Sequence, residues 1–204
     1  MVKVLAFGAH PDDIEVGMGG TIARYSKNKY DVLMVIAMIP NKQEVRRKEA
    51  ENAARILGAE LIILDIDPQK MIFSREFVRR FDKVIREHSP DIVYTHWNHD
   101  SHNDHVAVAN AVITSTRKND CSVYMYEQTV PGGIVPYAFR AQAFVDISET
   151  IDAKMDSVMV HKSQVEINNE WWLSGVKGRA MYRGYQINVN YAEAFEVVKE
   201  IKKI

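Results

Sequence analysis

Four short apolar runs, Val2–Phe7, Asp31–Met38, Leu61–Leu64 and Asp91–Thr95, alternate with stretches of helical periodicity. That alternation restricts the fold more than any other property of the chain. A short run that is apolar throughout suits a strand covered on both faces, as in a parallel sheet. In the intervening segments Ile14, Met18, Ile22 and Tyr25 recur every three or four residues. Phe77, Phe81, Val84 and Ile85 do the same, with Ser74 placed to cap that helix. Lys42–Leu57 is rich in Ala, Glu, Arg and Lys and stops before Gly58, a C-terminal glycine signal. Asp104–Lys118 carries Val106, Ala109 and Ile113 on one face, and Ser122–Tyr126 supplies a fifth strand. The expectation is an α/β fold: a Rossmann-like, doubly wound, mostly parallel sheet of strand order 3-2-1-4-5 with C-terminal additions.

Beyond the fifth strand the rhythm changes. Pro131-Gly132-Gly133 and Pro136 mark a loop, and Ala141–Val145 reads as a further strand. Ile151, Met155, Val158 and Met159 form a helical stripe, and Trp171–Gly184 is a candidate cap over a pocket. Ala194, Val197, Val198 and Ile201 have the spacing of a closing helix. No repeat, low-complexity segment or linker interrupts the 204 residues, so residues 1–204 read as one domain. A formal net charge of -1 provides no global field to draw in nucleic acid or an anionic membrane. The one cysteine, Cys121, rules out an internal disulfide and fits a reducing compartment. With no signal peptide and no apolar run near the roughly 20 residues of a spanning helix, the expectation is a cytoplasmic protein without a transmembrane segment.

Two polar clusters stand out against this frame. Ala9-His10-Pro11-Asp12-Asp13 follows the first strand, and His102-Asn103-Asp104-His105 follows the fourth. In a 3-2-1-4-5 sheet strands 1 and 4 are neighbours at the point where the winding reverses, so both clusters face one crevice. Adjacent aspartates repel each other, and a divalent cation reverses that cost. Two imidazoles, a carboxylate and spare acid/base groups are the parts of a catalytic metal site. Read more simply, Asp12 and Asp13 are acids at a helix N-terminus, where the helix dipole favours them. The second cluster is likewise readable as a polar loop with solvated histidines. His96 and His99 are assigned structural or supporting roles, and His88 and His161 are taken as helix residues. Gly17-Met18-Gly19-Gly20 lacks the spacing of a dinucleotide fingerprint and is read as allowing close packing or close approach of a ligand.

On these residues the chain resembles the LmbE-like, PIG-L-type family of metal-dependent N-deacetylases. The resemblance rests on Ala9-His10-Pro11-Asp12-Asp13 and on Asp100-x-His102-x-Asp104-His105. Weaker agreement comes from Arg46-x-x-Glu49-Ala50 running to Leu57-Gly58, from His161-Lys162-Ser163-Gln164, and from Arg183-Gly184 leading to Tyr191–Phe195. The resemblance implies Zn2+, with Fe2+ also accepted by the ligand set, held by His10, Asp13 and His105. It implies Asp12 as general base and His102 as oxyanion stabiliser or acid, oriented by Asp104. Arg46 takes the place of a substrate-contacting arginine, with Arg47 as its neighbouring alternative. The implied substrate is a small-molecule N-acetylated sugar of the N-acetylglucosamine type, and the implied assembly is a homo-oligomer, a trimer or hexamer.

Two other function classes use the same residue types. Two histidines and a carboxylate also form the facial triad of non-haem Fe(II) oxygenases, although those sites usually belong to β-barrels. A non-catalytic nucleotide-binding module uses the same crevice, but a Gly-rich fingerprint is missing and the His/Asp set would be left unexplained.

Overall fold

The structure is a computed structural model that describes residues 1–128 and 130–202, with Glu170 described as backbone only. In chain order the elements are β1 (Lys3–Gly8), α1 (Asp13–Lys27), β2 (Asp31–Ile36), α2 (Gln43–Leu57), β3 (Glu60–Ile63) and α3 (Arg75–His88). They continue with β4 (Ile92–His96), α4 (Asn103–Thr116), β5 (Ser122–Tyr126), β6 (Ala143–Asp146), α5 (Ile151–Met159), α6 (Lys162–Gln186) and β7 (Ala192–Lys199). The seven strands form one sheet of order β3-β2-β1-β4-β5-β7-β6. The first five pair in parallel, whereas β7 runs antiparallel to both β5 and β6. The fold is therefore the doubly wound sheet expected from the sequence, with two strands added at one edge.

The continuous apolar runs are explained by a sheet covered on both sides. Leu5 and Phe7 of β1 pack with Phe77, Phe81, Val84 and Ile85 of α3 and with Val108 and Val112 of α4. Val4 and Ala6 point the other way, against Ile14, Met18 and Ile22 of α1 and Leu57 of α2. Each such side chain contributes roughly 1.5–3 kcal/mol on full burial, so both faces must be apolar for the strand to sit in the middle. Helix boundaries follow local chemistry. The Ser74 hydroxyl accepts the Phe77 amide at 3.2 Å, and Gly58 ends α2 with φ +70°, a conformation glycine adopts without Cβ strain.

The closing helix expected over Ala194–Ile201 is not there; residues 192–199 form strand β7. The spacing of Ala194, Val197 and Val198 satisfies a helix, but the sheet supplies β5 and β6 as two hydrogen-bonding edges. Pairing also gives buried partners to the two acids that a helix would have aimed elsewhere. Glu193 accepts from Lys154 Nζ at 2.5 Å and from the amides of Gly20 and Thr21. Glu196 accepts from the Trp97 indole and pairs with Arg140. The segment 171–184 lies within α6, which breaks at Asn169 (φ 61°, ψ 174°) and brings Trp172 to a cavity wall. Among the described residues no helix is long and apolar enough to cross a membrane.

Candidate metal centre

β1 and β4 lie side by side, with Ala6 opposite Tyr94, so the loops after them meet at one end of the sheet. The first loop turns sharply: Asp12 has φ 99°, a left-handed conformation that costs a non-glycine residue energy and recurs at functional sites. The turn folds Asp13 back on His10, whose amide donates to Asp13 Oδ2 at 2.7 Å. The second loop leads into α4, whose first turn carries His105. The His10 and His105 rings are 5.6 Å apart between centroids, although the residues stand far apart in sequence.

Asp13 is the hub. Its Oδ1 accepts from Gln128 Nε2 at 2.9 Å and lies 3.3 Å from His105 Nε2. Its Oδ2 lies 3.1 Å from His96 Nε2 and 3.5 Å from His10 Nδ1. Burial pushes the Asp13 carboxyl up, but the His105 charge and hydrogen bonds from His10 and His105 hold it well below the usual range. Each flanking histidine is gripped at its far nitrogen. His10 Nε2 meets Asp104 Oδ2 at 3.0 Å, and His105 Nδ1 meets Asp100 Oδ2 at 3.0 Å. Burial disfavours the imidazolium of His10, yet hydrogen bonds to Asp104 and Asp13 raise it to about 9. His105 is raised to about 10, burial being outweighed by the Asp13 charge and the hydrogen bonds to Asp100 and Asp13. Positive charge is thus drawn to the centre of the cluster.

His10, Asp13 and His105 fit a metal ion. Their donor atoms all lie within 4.8 Å of one another and all three residues are buried. Donors about 2.0–2.1 Å from a tetrahedral zinc stand roughly 3.3 Å apart; His105 Nε2 lies 3.3 Å from Asp13 Oδ1, and His10 Nδ1 lies 3.5 Å from the other oxygen, Oδ2. A carboxylate on the outer nitrogen of each imidazole fixes its tautomer and makes it more basic. Two other groupings come equally close, His96/Asp100/His105 and His10/His102/Asp104. In the first, His96 Nε2 already accepts the Ala9 amide at 2.9 Å and Asp100 is engaged with His105. The second is only partly buried, and its carboxylate is engaged with His10.

Around this centre lies a cavity of about 340 Å3, bordered by His10, Asp12, Arg46, His102, Gln128 and Trp172 among others. Burial raises the Asp12 carboxyl to about 7, repulsion from Asp13 adds to this, and His161 and Arg46 oppose it. Arg46 Nη2 donates to the Pro11 carbonyl at 2.9 Å and stands 3.6 Å from Asp12 Oδ1. Arg47 turns outward to Asp65 at 2.6 Å, so only Arg46 reaches the cavity. His102 Nδ1 accepts the Asp104 amide at 3.2 Å, capping α4 and placing its hydrogen on Nε2 when the ring is neutral. Burial and the charges of His105 and His10 lower the His102 pKa.

The side chain of Asp104 corrects one expectation, because it holds His10 rather than orienting His102. His161 is another correction. It precedes α6, is fully buried and pairs with Glu15 at 3.1 Å. His96 is buried and stacked on His105, with ring centroids 4.0 Å apart. Sequence reasoning missed Gln128, which has no motif around it. It quoted Asp100 without giving it a role, although its place two residues before His102 was the available signal. Gly17 and Gly20 pack closely, as read: a Cβ at either would come within 2.3 Å of Tyr126 or 2.7 Å of Ile147.

The PIG-L family (GlcNAc-PI de-N-acetylase) matches residues 5–116, which contain both clusters. The chain is similar to the diacetylchitobiose deacetylase of Thermococcus kodakarensis, 29% identical over 224 residues that span 98% of this chain and 84% of that protein. It is also similar to the solved N,N'-diacetylchitobiose deacetylase of Pyrococcus horikoshii in complex with its inhibitor MPG. There the identity is 26% and the TM-score 0.80, over 96% of this chain and 83% of that one. A more distant relative is the 4-oxalmesaconate hydratase of Pseudomonas putida, 24% identical over 79% of this chain and 74% of that protein. With a family match over more than half of its length, on a sheet that brings the matched motifs together, the chain belongs to the PIG-L family of deacetylases.

Proposed function

We propose that this deacetylase is zinc-dependent and removes the N-acetyl group from an N-acetylglucosamine-type sugar or sugar conjugate, releasing acetate. The observation that carries the reading is Asp13, buried between His10 and His105, with a carboxylate behind each imidazole and Asp12 on the cavity side. The sugar assignment is supported by the family and by relatives named for diacetylchitobiose. His10, Asp13 and His105 would hold the ion; Fe(II) suits the same donors. When bound, zinc supplies Lewis acidity and lowers the pKa of water towards about 7.

The protein's own groups do the proton work. Asp12, with its pKa raised to about 7, is matched to take a proton from the attacking water near neutral pH. Arg46, beside Asp12, restricts where that carboxylate points. His102 is neutral at pH 7, because its pKa is lowered, and donates from Nε2 to the developing oxyanion. The carbonyl–nitrogen bond then breaks, and Asp12 returns its proton to the leaving amine. Acetate and a free amine are the products.

Acetate release from N-acetylglucosamine and N,N'-diacetylchitobiose, with metal content measured in parallel, tests the reading. Asp12→Asn is expected to keep zinc and lose about 10²–10⁴ in turnover, the usual cost of removing a general base. His105→Ala is expected to lose zinc and activity together. Undiminished turnover in Asp12→Asn would overturn the assignment of the base. Activity without acetate, such as hydration of an unsaturated acid, would overturn the deacetylation itself.

A further inference from the structure

A second cavity, of about 260 Å3, adjoins the first and shares Gln128 with it. Asp100 lies in its wall too, so the same carboxylate that holds His105 borders this space. The loop of residues 130–139 forms much of the remaining wall. It packs closely on the residue after Asp100: a Cβ at Gly133 would lie 2.3 Å from Ser101 Oγ.

Three aromatic side chains line the cavity: Trp97, Tyr137 and Phe139. Trp97 is fixed from behind, its indole donating to Glu196 at 3.1 Å, and its ring meets Phe139 edge-on at 5.8 Å. Tyr137 rests on His99 at 4.6 Å but remains 61% exposed, so much of its ring is open to a ligand. Among the described wall residues the charged ones are Asp100 and Glu127. Glu127 is paired with Arg183, whose Nε donates to it at 2.7 Å, and Asp100 is paired with His105. Among the described wall residues no side chain is a cation that could hold a phosphate or carboxylate.

We propose that this second cavity is a subsite for an uncharged sugar ring, the ring joined to the one that bears the scissile acetamide. The assignment deepens the deacetylase reading and rests on it. An aromatic face packs against the C–H face of a pyranose, and carboxylate and amide oxygens accept its hydroxyls. Among sugar conjugates the cavity therefore favours a neutral oligosaccharide over a phosphate-bearing carrier.

The test compares kcat/KM for acetate release from the one-ring N-acetylglucosamine and the two-ring N,N'-diacetylchitobiose. Wild-type protein is expected to prefer the two-ring sugar, and Tyr137→Ala to lower the two-ring to one-ring ratio about tenfold. Tyr137→Trp, which keeps an aromatic face, is expected to restore it. Because Tyr137 is largely exposed, its truncation removes little packing and the variant folds. A ratio that stays within twofold in Tyr137→Ala overturns the proposal. If wild-type protein releases acetate from neither sugar, the deacetylase reading fails and calorimetry with cellobiose, which has no acetamide, judges the cavity alone. Saturable binding weakened tenfold by Tyr137→Ala supports the subsite; no saturable binding to wild-type protein overturns it.

Discussion

Asp13 gathers an amide, a glutamine and three imidazoles around one buried carboxylate. Without a metal ion that arrangement is held by protons. His10 is raised to about 9 and His105 to about 10, while His96 is pushed down to about 4, chiefly by burial, and stays neutral. A metal ion binds imidazole only after the proton has left. Zinc uptake at pH 7 is therefore expected to release about two protons per ion. Calorimetry in buffers of different ionisation enthalpy measures this directly, and release of none would mean that the imidazoles are already neutral. The pairing of Asp104 with His10 shows where a local reading stops. Asp104 and His102 are near neighbours in the chain, yet the carboxylate goes to a residue 94 positions away. The nearer histidine instead accepts the Asp104 amide to cap its own helix.

At the scale of elements, most of the α/β alternation was legible because each segment needs only its own periodicity and caps. The Phe77, Phe81, Val84 and Ile85 stripe and the Ser74 cap describe α3 as it stands. β7 was not legible, since its apolar spacing satisfies both a helix and a strand, and only the vacant edges of β5 and β6 decide between them. α1 offers a sharper test of packing. Gly17 faces the ring of Tyr126, which is fully buried and donates its hydroxyl to the Phe7 carbonyl at 2.9 Å. Alanine at position 17 would place its Cβ 2.3 Å from that ring. Gly17→Ala is expected to destabilise the fold by about 1–3 kcal/mol, overpacking outweighing the gain in helix propensity. Urea unfolding reads the change, and an unaltered midpoint would mean that α1 shifts away at no cost.

Across the whole molecule, the reversal of winding between β1 and β4 concentrates charge at one end of the sheet, and stability should carry that signature. His10 and His105 have folded pKa values above the unfolded value of about 6.5. Their contribution is therefore complete below pH 6.5 and lost as pH rises through about 9 and 10. Asp12 acts in the same direction at lower pH: raised to about 7, it binds its proton more tightly when folded, and stability declines as the pH climbs from about 4 to 7. Asp13, held low, opposes this only at the acid end, where its contribution is lost as the carboxylate is protonated. The metal-free protein is expected to lose thermal stability from pH 6.5 to 10, and zinc to flatten that decline by replacing the protons. A melting temperature that does not vary over this range in the metal-free protein would contradict the charge distribution.

The sequence alone determined the alternation of strands and helices, the order of the first five strands and the convergence of the two polar clusters. Those follow from local periodicity and from the handedness of parallel crossovers. Tertiary structure alone decided that residues 192–199 complete the sheet, that Asp104 serves His10, and that Gln128 anchors Asp13. It also decided that an aromatic cavity lies beside the cluster of His10, Asp13 and His105. Each of these depends on which groups burial forces to find a partner, and those partners come from distant parts of the chain.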